Sequence, residues 1–129
     1  MILLCDEDIG TRVARALTLV GHDARSVAGM GWGGREDVWW LEQAGRLNWL
    51  VFSANKKMLR VPVEREVIER YKVGIVFLNN GEEYSADVLW LLLVKWPKLE
   101  EFHDTLPRPF ARFLSRTGAW SESYRGLRL

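Results

Sequence analysis

Cysteine is nearly absent from this chain. Cys5 is the only one in 129 residues, so no internal disulfide can form. Its place inside an apolar run reads as that of a small buried hydrophobe. Histidine is scarce as well. His22 and His103 lie far apart in the sequence, which gives no zinc-ligand spacing. Long apolar runs are missing. The stretch from Val88 to Val94 is very apolar but too short to cross a bilayer. With no secretory leader visible, a cytoplasmic location and no membrane partner are expected. An excess of one charge is lacking too: the formal net charge is +1, so overall charge selects no partner. There is no internal repeat and no low-complexity segment. The glycine-rich stretch from Ala28 to Gly34 lacks the Lys-Ser/Thr ending of a phosphate-binding loop, and it follows the second expected strand rather than the first.

What is present is an ordinary core-forming composition, 48% apolar and 27% charged, enough for one domain. Seven tryptophans are unusual. Trp39, Trp40, Trp49, Trp90 and Trp96 fall in expected elements and read as core. Trp32 and Trp120 stand in loop-like surroundings and read as candidate exposed anchors. The C-terminal stretch is locally basic, with Arg108, Arg112, Arg116, Arg125 and Arg128 against Glu122. Such a stretch suits phosphates, an acidic partner, or a merely solvated face.

The organising stretch is Ile2-Leu3-Leu4-Cys5-Asp6-Glu7-Asp8: a short apolar run, read as a buried parallel strand, that ends in three acids. Apolar spacing at Val13, Ala16, Leu17 and Val20 predicts a helix, with Asp8 as its cap and Gly21 as its stop. His22 to Val27 reads as a second strand, and Arg35 to Ala44 as a helix stopped by Gly45. Asn48 to Phe52 reads as a third strand, followed by a short helical turn through Leu59. Pro62 suits the first position of a helix running to about Tyr71. Val73 to Leu78 is a fourth strand, followed by a turn at Asn79-Asn80-Gly81. A helix from Tyr84 should end before Pro97. A last amphipathic helix is expected between Pro107 and Arg116, with Phe110, Phe113 and Leu114 on one face. That face would dock on the domain's own core or, in the sharper alternative, on a second copy in a homodimer. The residues after it read as loosely ordered. This alternation predicts an α/β fold: three layers, α/β/α, around a mainly parallel sheet of four to five strands. The expected division is residues 1–104 as the domain and 105–129 as a helical extension and tail.

Carboxylates at a strand's C-terminal end sit where open α/β sheets bind ligands. If strands one and three are neighbours, Asp6, Asp8, Ser53 and Asn55 come together, and Asp37 at a helix start can join them. Hard oxygen donors of this kind suit Mg²⁺ or Mn²⁺. Acids at strand ends are common, so the spacing alone does not decide between a ligand site and a solvated helix start. Ser53 has no evident histidine partner, which argues against nucleophilic catalysis. His22 reads as a structural residue of its turn, with a catalytic base as the alternative, and His103 as solvated.

Several segments carry a resemblance: Leu3 to Asp8, Arg12 to Leu17, Gly21-His22-Asp23, Glu36-Asp37 opening a helix, and Leu50 to Met58. Together they resemble the small PIN-like proteins of bacterial toxin–antitoxin loci over about residues 1 to 95. The resemblance implies a PIN-like fold, an antitoxin or other protein partner and, in active members, metal-dependent cleavage of RNA. The family's first acid falls on Asp6, its helix-start acid on Asp37 and its strand-three threonine on Ser53. Its two aspartates after strand three fall on Asn55 and Lys57. An asparagine still offers a carbonyl oxygen, whereas a lysine repels a metal. Two readings follow. In one, Asp6, Asp8 and Asp37 hold a metal while Ser53 or Asn55 orients phosphate or water. In the other, Lys57 takes the metal's place as a fixed cation beside Asp6, leaving a module that binds RNA or protein without cutting. The opening also resembles a response-regulator receiver domain, but the strand-three end reads Val51-Phe52-Ser53, without the phospho-accepting aspartate.

Overall fold

A computed structural model describes residues 1–79 and 84–129. The expected turn at Asn79-Asn80-Gly81 lies partly outside them. In chain order the elements are β1 (Leu3–Cys5), α1 (Thr11–Leu19), β2 (Ala24–Ser26), α2 (Asp37–Leu47), β3 (Leu50–Ser53), a 3₁₀ turn (Lys56–Leu59), α3 (Pro62–Arg70), β4 (Gly74–Leu78), α4 (Ser85–Thr105), β5 (Phe110–Leu114) and β6 (Trp120–Ser121). They form an α/β domain around one sheet of six strands in the order β2-β1-β3-β4-β5-β6. The first five are parallel, and β6 closes the edge antiparallel to β5.

β1, β3 and β4 bury both faces, so their sequences read as apolar runs, not as alternations. Leu3, Cys5, Leu50, Phe52, Val76, Leu78, Phe110 and Leu114 face α1 and α4. Leu4, Val51, Ile75, Phe77, Ala111 and Phe113 face α2 and α3, with Met58, Leu59 and Ile68 filling in beneath. The result is the expected α/β/α layering, with six strands in place of four to five.

Several expectations are corrected. The segment taken for a last amphipathic helix is strand β5, paired with β4 over its full length. Phe110, Phe113 and Leu114 have helical spacing, but β5 is buried on both faces. There Phe110 and Leu114 face one layer and Phe113 the other, and a short apolar run cannot tell the two periods apart. Residues 105–129 are therefore not a helical extension. They supply two strands and end in a tight Tyr124–Leu127 turn. Helix α4 continues through Pro97 to Thr105. A proline in a helix interior costs about 3 kcal/mol, and burial of Leu99 and Phe102 beyond it offsets that cost. Helix α1 begins after Gly10, not at Asp8, and Val20 is exposed at its end.

Gly45 does not stop α2, which runs to Leu47 and is capped by Asn48 in the left-handed region. The glycine serves packing instead. A Cβ there would lie 2.5 Å from the Tyr71 carbonyl oxygen, so the helix propensity of alanine would be outweighed by a backbone collision. Trp90 is exposed, not core. Trp32 and Trp120, the candidate anchors, are half-buried: Trp32 packs among Trp39 and Trp49, and Trp120 lies edge-on to Phe102. His22 stacks on Trp96 with ring centres 4.2 Å apart, consistent with a structural role. Among the described residues, no helix is long and apolar enough to cross a membrane.

Candidate active site

The chain leaves β1 for β2 on one side and later returns for β3 on the other. This reversal is the switch point at which open α/β sheets bind ligands, beyond the C-terminal ends of their strands. β1 and β3 are hydrogen-bonded neighbours, as the site expectation required. Asp6 is the first residue beyond β1, and Ser53 is the last of β3.

Backbone geometry folds the acidic turn over these ends. The Asp6 N–H donates to the Phe52 carbonyl at 3.0 Å, extending the β1–β3 pairing by one residue. The Asp6 carbonyl in turn accepts from Ile9 N–H at 3.0 Å. The Asp6 side chain is almost fully buried. One of its oxygens accepts from Glu7 N–H at 2.6 Å and the other from Ser53 Oγ at 2.8 Å. Ser53 Oγ then accepts from Asn55 N–H at 3.0 Å. Asp8, instead of capping α1, reaches across to accept from Ala54 N–H at 3.1 Å. The end of β3 is thereby tied to the acidic turn at both of its aspartates.

Asp37 arrives from elsewhere in the chain. It opens α2, where a carboxylate favours the helix dipole, and accepts from Trp40 Nε1 at 3.1 Å. Asp6, Asp8, Asp37, Asn55 and Lys57 line one open cleft of ≈ 470 Å³. Ser53 lies beneath it, bonded to Asp6. Every site residue expected from the sequence is thus at or under a single cleft. Glu7 also lines it. Glu64, at the start of α3, was missed from the sequence. It shares a neighbouring hollow with Asp37, and its carboxyl is raised by burial and by the Asp37 charge. Nothing in the local pattern of α3 announces that proximity.

The electrostatics are those of crowded like charges. Burial, then the charge of Asp8, pushes the Asp6 carboxyl up to about 6, against the opposing bonds from Ser53 and Glu7 and with a further push from Asp37. Asp8 is raised by burial and by Asp37. Cys5 is pushed up to about 12, by burial first and then by Asp6 and Asp8, so its thiol is inert, as its buried place suggested. Lys57 lines the same cleft, and among the described residues no ion pair joins it to Asp6, Asp8 or Asp37.

The donors are hard oxygens, the kind that Mg²⁺ and Mn²⁺ prefer. Their arrangement is not a closed cage. Among the described residues, no three Asp, Glu, His or Cys side chains converge closely enough to hold a metal ion on their own. Mg²⁺ characteristically takes one or two carboxylates and completes its shell with water and substrate phosphate. The cleft fits an ion held in that way and does not fit a tightly resident one.

A parallel sheet of this order is an α/β domain whose carboxylates stand at the edge where open α/β sheets bind ligands. A family model described as "PIN like domain" matches residues 1–80, well over half of the chain, and the protein belongs to that family. No curated protein and no solved structure matches the chain. The sheet order alone would also suit the receiver-like reading. The buried Ser53 at the end of β3, where a receiver needs its aspartate, separates the two.

Proposed function

We propose that the protein is a metal-dependent endoribonuclease of toxin–antitoxin type, working with a loosely held Mg²⁺ or Mn²⁺ that arrives with, or is completed by, the RNA. The observation that carries this reading is the crowding of Asp6, Asp8 and Asp37 around one open cleft. Repulsion of this kind is a standing cost that a divalent cation offsets. Such an ion supplies charge neutralisation at the phosphoryl group and a more acidic water as nucleophile. The chain's own residues do the rest. Ser53 Oγ–H and Glu7 N–H fix the Asp6 carboxylate, and Ala54 N–H fixes Asp8, so both are pre-oriented before substrate binds. Lys57, exposed at the rim, suits a backbone phosphate, and the Asn55 side chain suits a water or phosphate oxygen. The protein partner implied by this reading is an antitoxin.

Labelled single-stranded RNAs incubated with the protein and Mg²⁺ or Mn²⁺ should be cut internally, and EDTA should stop the cleavage. No cleavage over a broad RNA panel would overturn the reading. One observation favours a second reading: Asn55 and Lys57 stand where the family's aspartates are expected. A module that binds RNA without cutting would show retarded, intact RNA in the same assay.

A further inference from the structure

A second hollow, of ≈ 310 Å³, adjoins the carboxylate cleft and shares Ala54, Asn55 and Lys57 with it. Its other walls are Lys56 and Arg60 around the 3₁₀ turn, and Tyr124, Arg125 and Leu127 from the C-terminal turn. Among the described residues, four cationic side chains line it and no carboxylate does. The Tyr124–Leu127 turn lies beyond residues 1–80, the range matched by the family model.

The turn is built to hold one side chain in place. Tyr124 and Leu127 exchange backbone hydrogen bonds of 2.9 and 2.8 Å around Arg125 and Gly126. Both central residues have positive φ, 47° for Arg125 and 82° for Gly126. That conformation suits glycine or asparagine, and an arginine there is strained. Tyr124 is anchored by stacking on Phe113, and the Arg125 guanidinium lies 5.1 Å from the Tyr124 ring centre. Lys56 is fixed underneath by bonds to the Leu78 and Asn79 carbonyls. Arg60 and Arg125 are exposed.

We infer that this basic hollow is a subsite for the phosphate backbone of single-stranded RNA, holding the strand beside the carboxylate cleft. The inference rests on the ribonuclease reading for what happens next door, but it concerns binding alone. Its support is the junction of opposite charges. A polyanion seated on Arg60, Arg125 and Lys57 runs directly into Asp6, Asp8 and Asp37. Those carboxylates repel any bare polyanion; on the ribonuclease reading the Mg²⁺ or Mn²⁺ of the cleft completes its shell with substrate phosphate, which favours a phosphodiester at that edge.

The test is fluorescence anisotropy of a labelled single-stranded RNA at several salt concentrations. EDTA is present throughout, so that cleavage cannot interfere. Arg60→Ala with Arg125→Gly should weaken binding about tenfold or more and lower the salt slope by about 0.7 for each phosphate contact removed. Arg125→Gly relaxes a strained position, so a folding defect is not expected from it. Unchanged affinity and slope in the double variant would overturn the inference. So would absence of RNA binding accompanied by variant-sensitive binding of a polyglutamate peptide, which would point to an acidic protein partner. RNA that is bound in this manner but never cut when metal is restored would remove the ribonuclease reading and leave the subsite standing. RNA that is cut by wild type but bound equally by the double variant would do the reverse.

Discussion

Asp6→Asn is expected to abolish RNA cleavage and, in the same protein, to raise stability. The two effects share one cause. The Asp6 carboxyl sits buried against Asp8 and Asp37, which together with burial lifts it from 3.8 to about 6. A carboxyl whose folded pKa is raised binds its proton more tightly folded than unfolded. Its presence is neutral to stability below about pH 4. It becomes destabilising as pH rises through the window between the two values, and stays so above pH 6. A shift of about two units corresponds to about 3 kcal/mol. The stability difference between Asp6→Asn and wild type, measured by denaturant unfolding in EDTA, should therefore be near zero at the acid end and grow to about that size by neutral pH. The amide keeps one local bond and reverses the other: its carbonyl can accept from Glu7 N–H, and its NH₂ can donate to Ser53 Oγ, whose own O–H donates to Asp6 in the wild type and would lose that acceptor. Activity should move the other way. Loss of one pre-oriented charged group at a reacting centre costs about 10²–10³ in rate, so cleavage by the variant should be barely detectable. A variant less stable than wild type at neutral pH would show that the carboxylate is satisfied in the fold and not held in reserve for a cation.

Phe113→Ala is expected to be the most damaging single substitution in the C-terminal segment. Phe113 is fully buried in β5 and stacks on Phe77 of β4, with ring centres 5.5 Å apart, and on Tyr124. Truncating a buried phenylalanine typically costs about 3–5 kcal/mol, a large share of the 5–15 kcal/mol that holds a domain of this size together. Chemical denaturation should show the midpoint falling with little change in slope. Removing residues 107–129 altogether should give an unfolded or aggregated chain, because β4 would become a bare apolar edge. A cost below about 1 kcal/mol for Phe113→Ala would mean that β5 is peripheral, as a docked extension would be. Tyr124 also braces the turn that presents Arg125. The same substitution should therefore weaken RNA binding through the basic hollow before it unfolds the protein.

The site was more legible in the sequence than the C-terminal third of the fold was. The acids after Cys5, the Asp37 helix start and the Ser53-Ala54-Asn55 turn are each short local signals. A parallel sheet brings strand ends to one edge whatever the details of the helices, so their convergence followed from the alternation of elements. The role of Asp8 was not legible. Its acceptance of the Ala54 N–H spans 46 residues, and no local rule separates that from a helix cap. The nature of β5 was hidden because central strands and buried helix faces share one vocabulary of apolar residues. Pro97 misled for a related reason: proline ends most helices, but burial of Leu99 and Phe102 carries this one past it. Glu64 and the Arg125 turn depend on contacts between elements distant in sequence, and composition alone showed only a basic tail.

The most direct test follows the amide signals of isotope-labelled protein by NMR during titration with Mn²⁺, whose unpaired electrons broaden nearby resonances. Broadening should strike Glu7 and Asp8, Ala54, and Asp37 with Val38 together, and before other parts of the chain, as Mn²⁺ is raised, and Asp6→Asn should suppress it. Broadening confined to the Glu7–Asp8 turn without Asp37, centred elsewhere, or absent altogether would contradict a shared three-segment cation site.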